Sequence, residues 1–162
     1  MLQTVLNPAP AVPLPDEIYQ YVDHLIMNES EAAILSGQKA GDIDVRYPSK
    51  LAAVLQHFLS KGVNSVIITL GSHGVVYQTS QQSSYKHIPA KTVSVVDTTA
   101  AGDTFVGGYA VAWATSGMGD YDASIDFAVG KANEAASLAV QRMGAQSSIP
   151  WLDEISGGMH QP

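Results

Sequence analysis

Cysteine is missing from all 162 residues, which excludes disulfides, thiolate catalysis and cysteine zinc sites and fits a reducing compartment. Positive charge is scarce as well. Eight Lys and Arg stand against fifteen Asp and Glu, a formal charge of −7, so no basic face is available to hold a nucleic-acid backbone or an anionic membrane. Neither is expected as a partner. No apolar run approaches the ~18 residues of a membrane span, and the opening Met1-Leu2-Gln3-Thr4-Val5-Leu6-Asn7-Pro8 has neither the basic start nor the long apolar core of a targeting segment. These absences make a cytoplasmic location the expectation, extended to the nucleus for a eukaryotic source. A GxGxxG dinucleotide turn and a Walker phosphate loop are also lacking, which disfavours a dehydrogenase or a P-loop NTPase.

What is present is an alternation of strand-like and helix-like patterns, the mark of an α/β protein with a largely parallel sheet and helices on both faces. By length the chain fits one domain, expected over residues 1–155, with 156–162 a frayed tail around Gly157-Gly158. Thr4-Val5-Leu6 reads as a strand cut off by Asn7-Pro8-Ala9-Pro10-Ala11. A helix is predicted over 16–22, then a buried strand at Leu25-Ile26-Met27. Asn28 with Glu31 forms a capping-box pattern ahead of a helix that stops at Gly37. Residues 41–46 read as a loop, and 48–59 as a helix with Leu51, Val54, Leu55 and Phe58 on one face. The most strand-like run, 65–70, turns through Gly71-Ser72-His73-Gly74 into Val75-Val76-Tyr77, a hairpin whose glycines let a ligand approach the backbone. His73 reads as a solvated turn residue. An exposed turn at 78–84 and a strand at Tyr85-Lys86-His87-Ile88 follow, then a β-rich run at 92–96. Beyond it come a helix-compatible run at 104–114, interrupted by Gly107-Gly108, a second helix over 122–140 with a small face of Ile125, Ala128, Val129, Ala132, Ala135 and Ala136, and a polar loop over 142–150. Paired glycines cost a helix roughly 1 kcal/mol each against alanine, a cost that close packing on the sheet or on a ligand would offset.

The junction Asp97-Thr98-Thr99-Ala100-Ala101-Gly102-Asp103-Thr104-Phe105 is the centre of this pattern. Ala-Ala-Gly leaves the backbone bare where a helix begins, so successive amides can point at an anion and the helix dipole adds to the attraction. Asp103 puts a carboxylate on the same turn. An anion hole and a base together suit phosphoryl transfer, which is catalysed mainly by positioning and electrostatics. Asp or Thr ahead of a helix is also a common cap, and both readings fit the spacing.

The nine-residue junction resembles the C-terminal signature of the ribokinase branch of the phosphofructokinase-B sugar kinase family. Asn7-Pro8-Ala9-Pro10-Ala11, the Asn28-x-x-Glu31 pair, Thr69-Leu70-Gly71-Ser72-His73-Gly74 and Arg142-Met143-Gly144-Ala145-Gln146-Ser147-Ser148 are similar to further segments of that branch. The resemblance implies a ribokinase-like three-layer α/β/α sandwich and an ATP-dependent phosphorylation of ribose at its 5-hydroxyl. It implies Asp103 as the general base that takes the sugar hydroxyl proton and Ala100, Ala101, Gly102 and Asp103 as the anion hole. Asn28 and Glu31 would assist Mg²⁺ and phosphate, while Thr69, Leu70, Gly71, Ser72, His73, Gly74 and Asn133 would wall the nucleotide. A potassium ion would lie among Asp97, Thr99, Ala139, Arg142, Gly144 and Ser148. ATP, Mg²⁺ and K⁺ are thus the implied cofactors, a small sugar the substrate, and a homodimer the full-length form. The resemblance runs from about Thr4 to Trp151 and corresponds to the C-terminal half of the family's fold; the sugar-binding Gly-Gly motif and the β-lid lie in the half that is missing. Two alternatives stand beside it: a kinase for another sugar or nucleoside, and a truncated homologue that binds nucleotide or a partner without catalysis.

Overall fold

Five runs between residues 5 and 88 form one sheet, whose strands lie side by side in chain order: β1 (Val5–Leu6), β2 (His24–Asn28), β3 (Ser65–Thr69), β4 (Val75–Thr79) and β5 (Lys86–Ile88). The computed structural model describes residues 2–155, and the expected tail at 156–162 lies outside the described residues. The backbone divides into two compact units, Met1–Pro89 and Ala90–Pro162.

In the first unit β1, β2 and β3 run parallel, whereas β4 and β5 pair antiparallel. The sheet is therefore parallel from β1 to β3 and antiparallel beyond, where the expected hairpin lies. A glycine turn can join only antiparallel neighbours, since a parallel return needs a crossover of a dozen residues or more. α1 (Glu29–Ser36) and α2 (Pro48–Leu59) supply such crossover length. Leu51, Val54, Leu55 and Phe58 of α2 are buried as the i, i+3, i+4, i+7 spacing requires, in a core shared with Leu25, Met27, Val66 and Ile68 of the sheet. The helix expected over 16–22 is instead a 3₁₀ helix, Asp16–Tyr21, that buries one side chain, Tyr19; six residues with one anchored ring do not offset α-helix nucleation. The turn expected over 78–84 also begins later, because Gln78 and Thr79 extend β4 and pair with Val66 and Ser65.

Polar contacts pin the starting ends of the parallel strands. The Asp23 carboxylate accepts the Thr4 amide (2.8 Å) and hydroxyl (3.1 Å) and the Asn64 side-chain amide (2.8 Å). Burial pushes this carboxyl up, but those hydrogen bonds outweigh it and hold it below its ordinary value. The adjacent His24 ring is fully buried between Ser65 Oγ (2.8 Å) and Gln3 Oε1 (3.2 Å), and that burial lowers its pKa to about 4 despite the opposing charge of Asp23.

The second unit is built on a helical hairpin, α3 (Ala101–Thr115) and α4 (Tyr121–Ala139), whose helices pack on each other. Phe105, Gly108, Tyr109 and Ala112 are buried on α3, as are Ile125, Ala128, Val129, Ala132 and Ala135 on α4. Asp120 caps α4 by accepting the Ala123 amide at 2.7 Å. Gly107 faces open space, so close packing does not explain it, whereas Gly108 is buried. The β-rich run at 92–96 forms no strand. Val95 and Val96 are 61% and 54% exposed, and the amides of Val96 and Asp97 both donate to the Val140 carbonyl, at 2.7 and 3.2 Å. Among the described residues no helix is long and apolar enough to cross a membrane.

Candidate active site

In the first unit the expected residues gather at the carboxyl ends of β2 and β3, where ligands bind in open α/β sheets. Asn28 and Thr69 end these strands and are paired in register. Asn28 Oδ1 accepts the Glu31 amide (2.9 Å) and Glu31 Oε2 accepts the Asn28 amide (2.8 Å), so the capping box is formed in full. It occupies one oxygen of each side chain and fixes both at the first turn of α1. Beyond Thr69 the chain makes a one-turn 3₁₀ helix, Gly71–His73, closed by Leu70 N–H to the Gly74 carbonyl (2.7 Å). Gly71 and Gly74 hold φ of 51° and 90°, a region that favours glycine. Gly71, Ser72 and His73 are exposed, while the Leu70 side chain belongs to the core.

Two acids missed in the sequence share this edge. Glu29, first in α1, has its carboxyl pushed up by burial; His73 acts against the rise and Asp44 adds to it. Asp44 is held at about 2 by hydrogen bonds from the Arg46 side chain and amide. Only the position of Glu29 beside a capping asparagine hinted at it, and residues 41–46 carry no periodicity that would have singled out Asp44.

In the second unit α3 starts at Ala101 with Ala100 at the cap position and no side chain capping it. Alanine has no oxygen to give the first-turn amides. The Ala101 amide donates to the Thr98 carbonyl (3.2 Å) and the Thr104 amide to the Ala100 carbonyl (2.9 Å). Of the four amides expected to face an anion, Ala101 is thus already engaged. The Gly102 and Asp103 amides find no acceptor among the described residues, both residues are exposed, and a Cβ at Gly102 would meet open space. The Asp103 carboxylate likewise takes no hydrogen bond among the described residues. It caps nothing, so the capping explanation of this aspartate lapses.

Asp97 ties this turn to the loop after α4. Its Oδ1 accepts the Thr99 amide (2.9 Å) and hydroxyl (2.5 Å), and its Oδ2 accepts the Gly144 amide (2.9 Å). The Thr99 hydroxyl, the Gly144 amide and the Thr99 amide together hold the Asp97 carboxyl below its ordinary range. Gly144 sits at φ 99°, where a Cβ would lie 2.5 Å from Ser147 Oγ. Ser148 is buried and donates to the Ala145 carbonyl at 2.7 Å. The carbonyls of Thr99, Arg142 and Gly144 accept no hydrogen bond among the described residues, whereas that of Ala139 accepts the Arg142 amide (3.1 Å). Asn133 is half-buried on α4. No group of three or more His, Cys, Asp and Glu among the described residues could hold a metal ion, so any cation here would rest on carbonyl and carboxylate oxygens.

Comparison with known proteins places the chain in a family. A family model described as pfkB family carbohydrate kinase matches residues 2–152. A ribokinase of Staphylococcus aureus (strain COL) is 43% identical over 94% of this chain and 46% of its own length. The crystal structure of a ribokinase from Thermotoga maritima superposes with a TM-score of 0.78 at 38% identity, over 94% of this chain and 47% of that one. A structure of Arabidopsis thaliana ribokinase complexed with ribose and ATP gives a TM-score of 0.73 at 30% identity, over 92% of this chain and 45% of that one. The chain therefore spans about half the length of the relatives it matches. The comparisons bear out the family, and not the expectation that these residues are its C-terminal half. With its ribokinase-like α/β fold, this chain belongs to the pfkB family of carbohydrate kinases.

Proposed function

We propose that the chain carries the nucleotide-binding and phosphoryl-transfer residues of a kinase that moves the γ-phosphoryl group of ATP to the 5-hydroxyl of ribose. The observation that carries this reading is the uncapped start of α3, where two unengaged amides stand beside the exposed Asp103. In the reaction the sugar hydroxyl loses its proton to the Asp103 carboxylate as its oxygen bonds to the γ-phosphorus. The bond from that phosphorus to the bridging oxygen breaks, and ADP leaves with the electron pair. The Gly102 and Asp103 amides meet the negative charge on the transferring group, the contribution that matters most in phosphoryl transfer. Thr69 and the 70–74 turn are the nucleotide-contacting candidates of the first unit, and Asn133 is that of the second.

Relatives bound to ATP with ribose, and to ATP with Mg²⁺ in an E. coli chain 25% identical, support the nucleotide, the sugar and the divalent ion. When bound, Mg²⁺ neutralises triphosphate charge; Asn28 and the second carboxylate oxygen of Glu31 are the groups that would assist it. An oxygen-only donor set suits a hard cation. Asp97 and the carbonyls of Thr99, Arg142 and Gly144 fit K⁺, with Ala139 and Ser148 completing the set. A cytoplasmic homodimer is our reading for the full-length form. A second substrate reading also has support, since a 33% identical relative in Salmonella typhi is named a deoxyribokinase.

The test is a chimera in which this chain is completed with the remaining length of the Staphylococcus relative. Ribose-dependent ADP release is expected, exceeding that with deoxyribose. Release with neither sugar, in a folded chimera that binds ATP, would contradict the proposed reaction.

A further inference from the structure

We propose that His87 is a positioning residue for the nucleotide turn: its ring, carried on β5, latches the exposed 71–74 turn through the carbonyl of His73. The inference rests on the nucleotide reading above and extends it to how that turn keeps its shape. Nε2 of His87 lies 2.7 Å from the His73 carbonyl oxygen, fourteen residues back along the chain. A carbonyl can only accept, so this nitrogen carries the proton and donates. Among the described residues it is the only side-chain hydrogen bond made to residues 70–74. The remaining bonds of the turn are local, from the Leu70 amide to the Gly74 carbonyl (2.7 Å), the His73 amide to the Leu70 carbonyl (2.9 Å) and the Gly74 amide to the Gly71 carbonyl (3.1 Å). Leu70 and Gly74 are buried at the two ends, whereas Gly71, Ser72 and His73 between them are exposed.

Register puts His87 in reach. It pairs with Val76, and Ile88 pairs with Val75, so backbone pairing outside the turn holds the strand that carries the ring. Two glycines at positive φ give the turn more backbone freedom than other residues would. A bond from a neighbouring strand to the middle of the turn removes part of that freedom. It does so without filling the space at Gly71, where a Cβ would meet nothing within 4 Å. The His73 side chain in turn acts on the Glu29 carboxyl at the start of α1, which puts the latched turn beside the capping box of Asn28 and Glu31. A nucleotide there meets a turn whose direction is set in advance, and such orientation contributes to binding and catalysis.

The test uses the 162-residue chain and two substitutions. His87→Phe keeps a ring and loses the donor, while His87→Gln offers an amide nitrogen in its place. Amide hydrogen exchange at His73 and Gly74 should quicken by about five- to tenfold in His87→Phe, the effect of losing one ordinary hydrogen bond, and stay at the parent rate in His87→Gln. The amides of β4 should keep the parent rate in both variants. Unchanged His73 and Gly74 amides in His87→Phe would overturn the latch, and turn and β4 amides that quicken alike would make His87 a strand residue only. Binding of MgATP should weaken by about five- to tenfold in His87→Phe and recover in His87→Gln. A loosened turn with equal MgATP affinity in all three chains would overturn the positioning role. Should MgATP leave the resonances of residues 69–74 unmoved in the parent chain, the nucleotide reading would fail, while the exchange rates would still decide the latch.

Discussion

At the scale of single residues, the most informative side chains are those whose partners lie far along the sequence. The uncapped start of α3 was legible because Ala-Ala-Gly has no side-chain oxygen to cap it, and that inference needs only local chemistry. The Gly144 amide as the partner of Asp97 was not legible, since no periodicity links positions forty-seven apart. The same holds for His24, which the pattern shows only as the flank of an apolar run. Its burial makes a pH prediction. A histidine whose pKa falls from 6.5 to about 4 on folding stays neutral in the native state while the unfolded chain takes up a proton below pH 6.5. Stability is therefore complete above pH 6.5 and falls as pH drops toward 4, by up to about 3 kcal/mol. Urea midpoints measured between pH 7 and pH 4 should show this fall, and His24→Gln should flatten it. For Asp103 the expected outcome is kinetic: in the completed chimera Asp103→Asn should lower kcat by ~10²–10⁴-fold, the usual range for a general base, with MgATP binding nearly unchanged. Near-normal turnover would remove Asp103 from the chemistry.

Among the elements, α2 shows what periodicity can establish. Its bounds, Pro48–Leu59, and its four buried residues agree with the spacing because a proline opens it and one apolar stripe faces the sheet. The run at 92–96 shows the limit. Thr, Val, Val and Val have high β propensity, but propensity measures fit to a pleated, half-buried surface, and here the amides of Val96 and Asp97 are taken by the end of α4 instead. The 3₁₀ helix at Asp16–Tyr21 departs from the expected α-helix for want of length and a second buried anchor. Two glycine substitutions in the second unit should have opposite signs. Gly107→Ala adds a methyl group that meets nothing within 4 Å on an exposed helix face and should stabilise by about 0.5–1 kcal/mol. Gly144→Ala forces a side chain into a positive φ and against Ser147, and should destabilise by about 1–3 kcal/mol. Chemical denaturation of both variants checks the pair, and equal shifts would contradict the account of these two backbones.

For the molecule as a whole, length governs function. The chain matches 46% of the Staphylococcus relative and 47% of the Thermotoga structure, about half the length of each. By itself it should not phosphorylate ribose: an acceptor hydroxyl that is not held near the γ-phosphate forfeits on the order of 7–11 kcal/mol of barrier lowering. Ribose-dependent turnover by these 162 residues at an ordinary kinase rate, about 1–100 s⁻¹, would contradict that expectation. The central claim, that the start of α3 is a phosphate site, can be read directly from the amide resonances of Gly102 and Asp103 during a titration with MgATP. The account predicts saturable shifts at these two amides with a Kd on the order of 1 mM or tighter, and a much smaller response to adenosine. Two amides that stay still while MgATP rises well past that concentration would contradict it.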